Sequence, residues 1–213
     1  MTDIVRLLVF CKAPIAGSVK TRLMSEFSES EAAGLHQELA TETLQDCLEV
    51  AKRVPEVKLE LWCSPDTHHP FFEKFEQKGY ALHRQEGVNL GAKMHRGFAE
   101  KSIKTLLIGT DCPPIDVAYL LDAIEKLAVS EVVLAPAEDG GYGLIGLQEP
   151  NACLFEGVAW STDQVLAQTL RRCEEQGLKA ELLPQIWDVD YPKDVEKWRS
   201  ESHEKLIKLN QYQ

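Results

Sequence analysis

Short apolar runs alternate along the chain with longer stretches of mixed polarity. VRLLVFC (5–11), VKLELWC (57–63), YALHRQ (80–85), KTLLIG (104–109), EVVLAP (131–136), YGLIGLQ (142–148) and LKAELLP (178–184) are strand-length and bounded by polar, Gly or Pro residues. The runs at 5–11, 104–109 and 131–136 are nearly all apolar, as expected of central strands covered on both faces. The run at 57–63 alternates, which suits a strand nearer an edge.

Between these runs the period lengthens. Over 28–53, Leu35, Leu39, Leu44 and Leu48 recur near one face, Ser28 and Glu31 have capping-box spacing, and Pro55 stops the helix. Residues 91–103, 116–128 and 162–176 also predict helices. Ser161 and Gln164 are placed to cap the last of these, and Gly177 ends it. Pro192 suits the first turn of a final helix reaching about 209. The alternation predicts an α/β fold of three layers, α/β/α, around a mostly parallel, mixed central sheet. No repeat or linker interrupts it, so residues 1–213 are expected to form one domain.

Composition changes this picture little. The chain has 213 residues, 44% hydrophobic and 27% charged, ordinary for a globular protein with a full core. No apolar run is long enough to span a bilayer. The start, MTDIVRLLVF, lacks a basic region and a small-residue cleavage site, so no signal peptide is expected. Six scattered Cys without a C-x-x-C pair read as free thiols in a reducing cytoplasm. A formal net charge of −11 argues against nucleic-acid binding, yet leaves room for a small anionic substrate where a local basic cluster and a dication reverse the field.

Ligands of such sheets bind outside the carboxyl ends of the strands. KAPIAGSVKTRL (12–23) follows the first strand, TDCPP the fourth, AEDGGY the fifth, and DVDYPKD comes shortly after the seventh. The first segment carries Lys12, Gly17, Lys20, Thr21 and Arg22, residue types that cradle phosphate, without the Gly spacing of a P-loop. It is either a phosphate loop of another kind or a basic surface turn. Asp111 is held by Pro113 and Pro114 at a strand tip, either as a ligand for Mg²⁺ or as a turn-forming Asp. Asp188 and Asp190 share one face of an extended segment; one of them meets Asp111 across the sheet, or Asp190 merely favours the next helix's N-terminus. Gly140 and Gly141 after Asp139 allow close backbone approach, or simply a tight turn. His68 and His69 read as polar loop, Cys112 as structural, and the four Trp as core or rim residues.

KAPIAGSVKTRL, IGTDCPPI, PAEDGGYGLIGL, WST and DVDYPKDVE, in this order, resemble the nucleotide-diphospho-sugar transferase superfamily with its GT-A-like fold. Within it they are most similar to a bacterial glycosyltransferase-like branch related to 2-phospholactate and molybdenum-cofactor guanylyltransferases. The resemblance implies an Mg²⁺- or Mn²⁺-dependent transferase acting on a nucleoside triphosphate or a nucleotide-sugar and a small-molecule acceptor. It assigns Lys20 and Arg22 to the phosphates, Asp111 and Asp190 to the metal, and Asn89 with Gly91 to the nucleotide. Asp139, Gly140 and Gly141 are left to face the acceptor. Three positions depart from the pattern: Lys93 for Arg, Gly143 for an aromatic residue and Tyr191 for Thr. The T-D-C-P segment lacks the D-x-D form usual in glycosyltransferases, which favours nucleotidyl over glycosyl transfer, and a non-catalytic nucleotide-binding protein of the same fold is the third reading.

Overall fold

The computed structural model of the chain describes residues 4–210, with side chains as far as Ser202. The strands are β1 (Val5–Lys12), β2 (Val57–Ser64), β3 (Ala81–Arg84), β4 (Thr105–Ile108), β5 (Val132–Pro136), β6 (Tyr142–Leu147) and β7 (Ala180–Leu182). The helices are α1 (Glu29–Arg53), α2 (Pro70–Glu76), α3 (Leu90–Ala99), α4 (Val117–Leu127), α5 (Val165–Glu175) and α6 (Pro192–Asn210). The seven strands form one sheet in the order β3-β2-β1-β4-β6-β5-β7. Only β6 runs against its neighbours, pairing antiparallel with both β4 and β5.

β1 shows why the sheet is buried on both sides. Leu7, Val9 and Cys11 enter a core formed with α1, α2 and α4, while Leu8 and Phe10 enter another with Met94 and Phe98 of α3 and Cys173 of α5. Those helix sets are the outer layers. A third cluster packs Trp187, Val195 and Trp198 against Leu35 and Leu39 of α1 and Leu23. α1 begins with a full capping box, in which Ser28 Oγ accepts from the Glu31 amide and Glu31 Oε2 accepts from the Ser28 amide at 2.8 Å. No described helix is long and apolar enough to cross a membrane.

Several expectations need correction. The helix expected over 91–103 ends at Ala99, and that over 162–176 begins only at Val165. Ser161 does not cap α5: it stands at φ 66, and Thr162 Oγ1 instead accepts from the Gln164 amide at 3.3 Å. α2 was not legible, because seven residues are too few to show a period. His69, read as loop, caps it by accepting from the Phe71 amide at 3.2 Å. The run at 57–63 does lie beside the edge strand, as β2 between β3 and β1, but its polar positions are not all on the surface. Lys58 is exposed, but Glu60 is buried, its carboxylate receiving Arg6 Nε at 2.8 Å and Nη2 at 2.6 Å. Arg6 Nη1 also donates to the Gly97 carbonyl, and Trp62 Nε1 to Glu60. Two charged residues inside neighbouring strands thus form a saturated internal pair. Glu60, His83 and Glu100 lie close enough together to suggest a metal centre. Arg6 and Lys101 already supply the counter-charge there.

Candidate functional site

The carboxyl ends of β1 and β4 open into a cleft of about 450 Å³. After β1 the chain runs through an irregular loop and reaches Lys20 in the left-handed region, at φ 49 and ψ 40, just before a 3₁₀ turn, Thr21–Ser25. A non-glycine residue there costs about 1–2 kcal/mol. The twist turns Lys20 inward, leaving its side chain only 4% exposed. Its ammonium lies 2.7 Å from Asp111 Oδ1 and 3.8 Å from Asp190 Oδ1, and donates to the Val189 carbonyl at 2.7 Å. Two aspartates separated by 79 positions in the chain thus face one another across a single cation.

Backbone contacts hold that convergence. The Val189 amide donates to the Asp111 carbonyl at 2.9 Å, the Ile186 amide donates to the Pro136 carbonyl at 2.8 Å, and the Ile186 carbonyl accepts from the Glu138 amide at 3.1 Å, joining the 186–190 segment to the end of β5. Asp194 Oδ2 accepts from the amides of Asp190 and Tyr191, tying the segment to the first turn of α6. Arg22 pairs with Asp190 Oδ2, its guanidinium 5.5 Å from the centre of the Tyr191 ring. Tyr191 thus provides a face for the arginine.

The electrostatics separate the acids. Burial works against the charge on Asp111, but Lys20 and His36 outweigh it and hold the carboxyl well below the usual carboxylate range. Asp188 is pushed up to about 6, first by burial and then by the negative charges of Asp190 and Asp139. The adjacent Cys112 thiol is pushed up by burial and by Asp111, so it stays protonated and unreactive.

Six of the sequence-predicted residues, Lys12, Lys20, Thr21, Arg22, Asp111 and Asp190, line this one cleft. The other predicted residues do not line it; Asn89 and Gly91 border a second cavity with Trp160, and each has a visible local role. Gly17, at φ 77, turns the loop against the Glu29 carboxylate. Asn89 caps α3, its Oδ1 accepting from the Ala92 amide at 2.8 Å. Gly91 lets the Trp160 indole lie against α3, where a Cβ would stand 2.3 Å from Nε1. Asp139 accepts from the Gly141 amide at 2.9 Å, and the Gly140 carbonyl accepts from Leu166. At Gly143 an aromatic residue has no room without repacking, since even a Cβ would meet Ile186 Cδ1 at 2.4 Å and Cys112 Sγ at 2.8 Å.

Among the lining residues that sequence reasoning did not single out are His36 and Gln85. His36, only 4% exposed on α1, places Nε2 2.9 Å from the Lys12 carbonyl and Nδ1 3.8 Å from Asp111 Oδ1. It joins the opening loop to Asp111, and its position on the apolar stripe of α1 was the available signal. Gln85 donates to the Trp62 carbonyl at 2.7 Å and closes the far wall.

The 137–141 turn offers a sharp test of this architecture. Gly140 has φ 84, and a Cβ there would stand 2.3 Å from the Asp163 carbonyl oxygen. Gly140→Ala should cost about 2 kcal/mol or more, lowering Tm by roughly 4–8 °C in a thermal melt.

What the geometry provides is a pair of hard oxygen ligands facing two side-chain cations at a strand-end cleft, suited to a metal-bound polyphosphate. Comparison with known proteins identifies the fold and the family. A crystal structure described as a "putative nucleotide-diphospho-sugar transferase" from Desulfovibrio desulfuricans G20 is 28% identical, aligns over 90% of this chain and 84% of its own, and has a TM-score of 0.74. A 4-diphosphocytidyl-2C-methyl-D-erythritol synthase from Anaerococcus prevotii shares the fold at 10% identity, over 95% of this chain and 97% of its own, with a TM-score of 0.60. A CMP:2-keto-3-deoxy-manno-octonic acid synthetase complexed with CTP does so at 12% identity, over 95% and 99%, with a TM-score of 0.55. No curated protein matches the sequence. Residues 47–162 match the family described as "Uncharacterized protein conserved in bacteria (DUF2064)". The chain belongs to that bacterial family, on a nucleotide-diphospho-sugar transferase fold.

Proposed function

We propose that the chain is a metal-dependent nucleotidyltransferase joining a nucleoside triphosphate to a small phosphorylated acceptor. The convergence of Asp111 and Asp190 on Lys20, with Arg22 beside them, carries this reading. The donor set fits Mg²⁺ or Mn²⁺. Both ligands are carboxylates, and Asp111 buries Oδ1 while its side chain as a whole stays 45% exposed toward the cleft. A dication held by Asp111 and Asp190 supplies charge neutralisation and polarisation of phosphate oxygens. Lys20 and Arg22 bind the β- and γ-phosphates and stabilise the diphosphate as it leaves. Lys12 and Thr21 add an ammonium and a hydroxyl to the same wall. The α3 start around Asn89 and Gly91 borders the nucleotide, and the Asp139–Gly141 turn borders the acceptor.

Glycosyl transfer is the second reading, favoured by the description of the Desulfovibrio structure. It uses the same cradle but breaks the bond at the sugar C1 rather than at the α-phosphorus. Incubation with each nucleoside triphosphate, Mg²⁺ and a panel of phosphorylated acceptors should release pyrophosphate. Release of nucleoside diphosphate from nucleotide-sugars instead would favour the second reading. Tight triphosphate binding without either product across the panel would favour a non-catalytic binding protein.

A further inference from the structure

Side chains that bind phosphate ordinarily face an open anion site. In this chain both are engaged elsewhere. Asp111 Oδ1 and both oxygens of Asp190 each face the ammonium of Lys20 or the guanidinium of Arg22. The groups suited to a metal and those suited to a polyphosphate neutralise one another. We infer that Lys20 and Arg22 are internal counter-ions that make the site refuse a bare divalent cation, so that metal enters only with a polyphosphate. This deepens the metal–nucleotide reading above and rests on it.

The physical argument is one of exchange. A dication arriving alone must break both ion pairs and then sit against two displaced positive groups. A polyphosphate arriving alone must draw the cations away and leave two carboxylates facing its own charge. Arriving together, the dication takes the carboxylates and the phosphate oxygens take the cations, so every charge keeps a partner. Thermodynamic reciprocity then requires each ligand to tighten the other by the same factor.

The two cations are not equivalent. Lys20 is fixed by its left-handed backbone, by burial and by the Val189 carbonyl. Arg22 is 61% exposed on the 3₁₀ turn, with the Tyr191 ring beside it as an alternative resting place. Arg22 is therefore the movable member, and it decides whether Asp190 is available. It is a specificity-determining residue for metal loading, and its removal should act in opposite directions on the two ligands.

The test uses the full chain and probes that need no knowledge of the natural substrate. Binding of Mn²⁺ alone is followed by loss of the free aquo-ion signal in electron paramagnetic resonance, and binding of Mn²⁺–tripolyphosphate by calorimetry. Arg22→Gln should bind Mn²⁺ alone about tenfold more tightly than the wild type, since one screened positive charge and one competing ion pair are gone. The same variant should bind Mn²⁺–tripolyphosphate more weakly. Arg22→Lys, which keeps the charge, should stay near the wild type for Mn²⁺ alone. Equal or weaker Mn²⁺ binding by a folded Arg22→Gln protein overturns the inference; Arg22→Met gives the same comparison if the Gln variant shows no thermal transition. Failure of the underlying metal reading looks different. Asp111→Asn and Asp190→Asn would then bind Mn²⁺–tripolyphosphate as tightly as the wild type, whereas failure of the counter-ion exchange alone leaves both impaired.

Discussion

Asp111→Asn should lower the rate of pyrophosphate release by about a thousandfold, because several kcal/mol of charge stabilisation at the phosphates depends on that carboxylate. The fold should survive. The Asp111 carbonyl still accepts from Val189, and Lys20 keeps Asp190 and the Val189 carbonyl as partners. The substitution removes a charge-assisted contact, so Tm should fall by only a few degrees. The pH dependence separates the two effects. The native carboxyl is held well below its ordinary value of 3.8, so its stabilisation is present above that value and lost as pH falls. The stability gap between variant and wild type should therefore shrink below about pH 4. Turnover within tenfold of the wild type would remove Asp111 from the chemistry.

The largest effect on stability should come from the opposite end of β1. Arg6→Met leaves the Glu60 carboxylate buried between sheet and helix without its bidentate partner, at an expected cost of about 3–5 kcal/mol. For a chain of this size that is roughly 6–20 °C in Tm. In the wild type, burial raises the Glu60 carboxyl but Arg6, with Trp62 and His83, brings it below its ordinary value. Its stabilisation is therefore present at neutral pH and lost on acidification. In the variant burial prevails and the sign reverses, so acidification should stabilise the variant relative to the wild type. Chemical denaturation at pH 7 and pH 5 reads the difference directly. Adding Glu60→Gln to Arg6→Met should recover part of the loss, because a neutral amide costs less to bury than an unpaired charge. A gap that widens on acidification would contradict this account.

The layered architecture was legible because it depends on local patterns: apolar strand runs, the Ser28–Glu31 box and the Pro192 start each act over a few residues. The main site residues were legible for a related reason. Lys20, Arg22 and Asp111 follow strand ends, and a parallel sheet brings such positions to one side. What escaped depends on partners distant in sequence. Glu60 alternates like a surface residue and becomes internal only because Arg6 stands beside it. His36 occupies an ordinary stripe position in α1, and only the tertiary fold gives its two ring nitrogens different tasks. Ser161 has the right chemistry for a cap but stands in the left-handed region, at φ 66, which its residue type did not announce.

The reversal of β6 bears on how this protein can diversify. Were all seven strands codirectional, the mouth would receive only chain leaving the sheet on its way to a helix, where length is constrained by the crossover. Because β6 returns beside β5, the mouth also receives a hairpin tip, Ala137–Gly141, anchored by strand pairing on both flanks. The exposed side chains of this tip, Glu138 and Asp139, can change without disturbing the flanking strands, provided Gly140 keeps its place against Asp163. Under the proposed reading, acceptor preference would be altered at that one bend while the ionic floor of the cleft stays untouched.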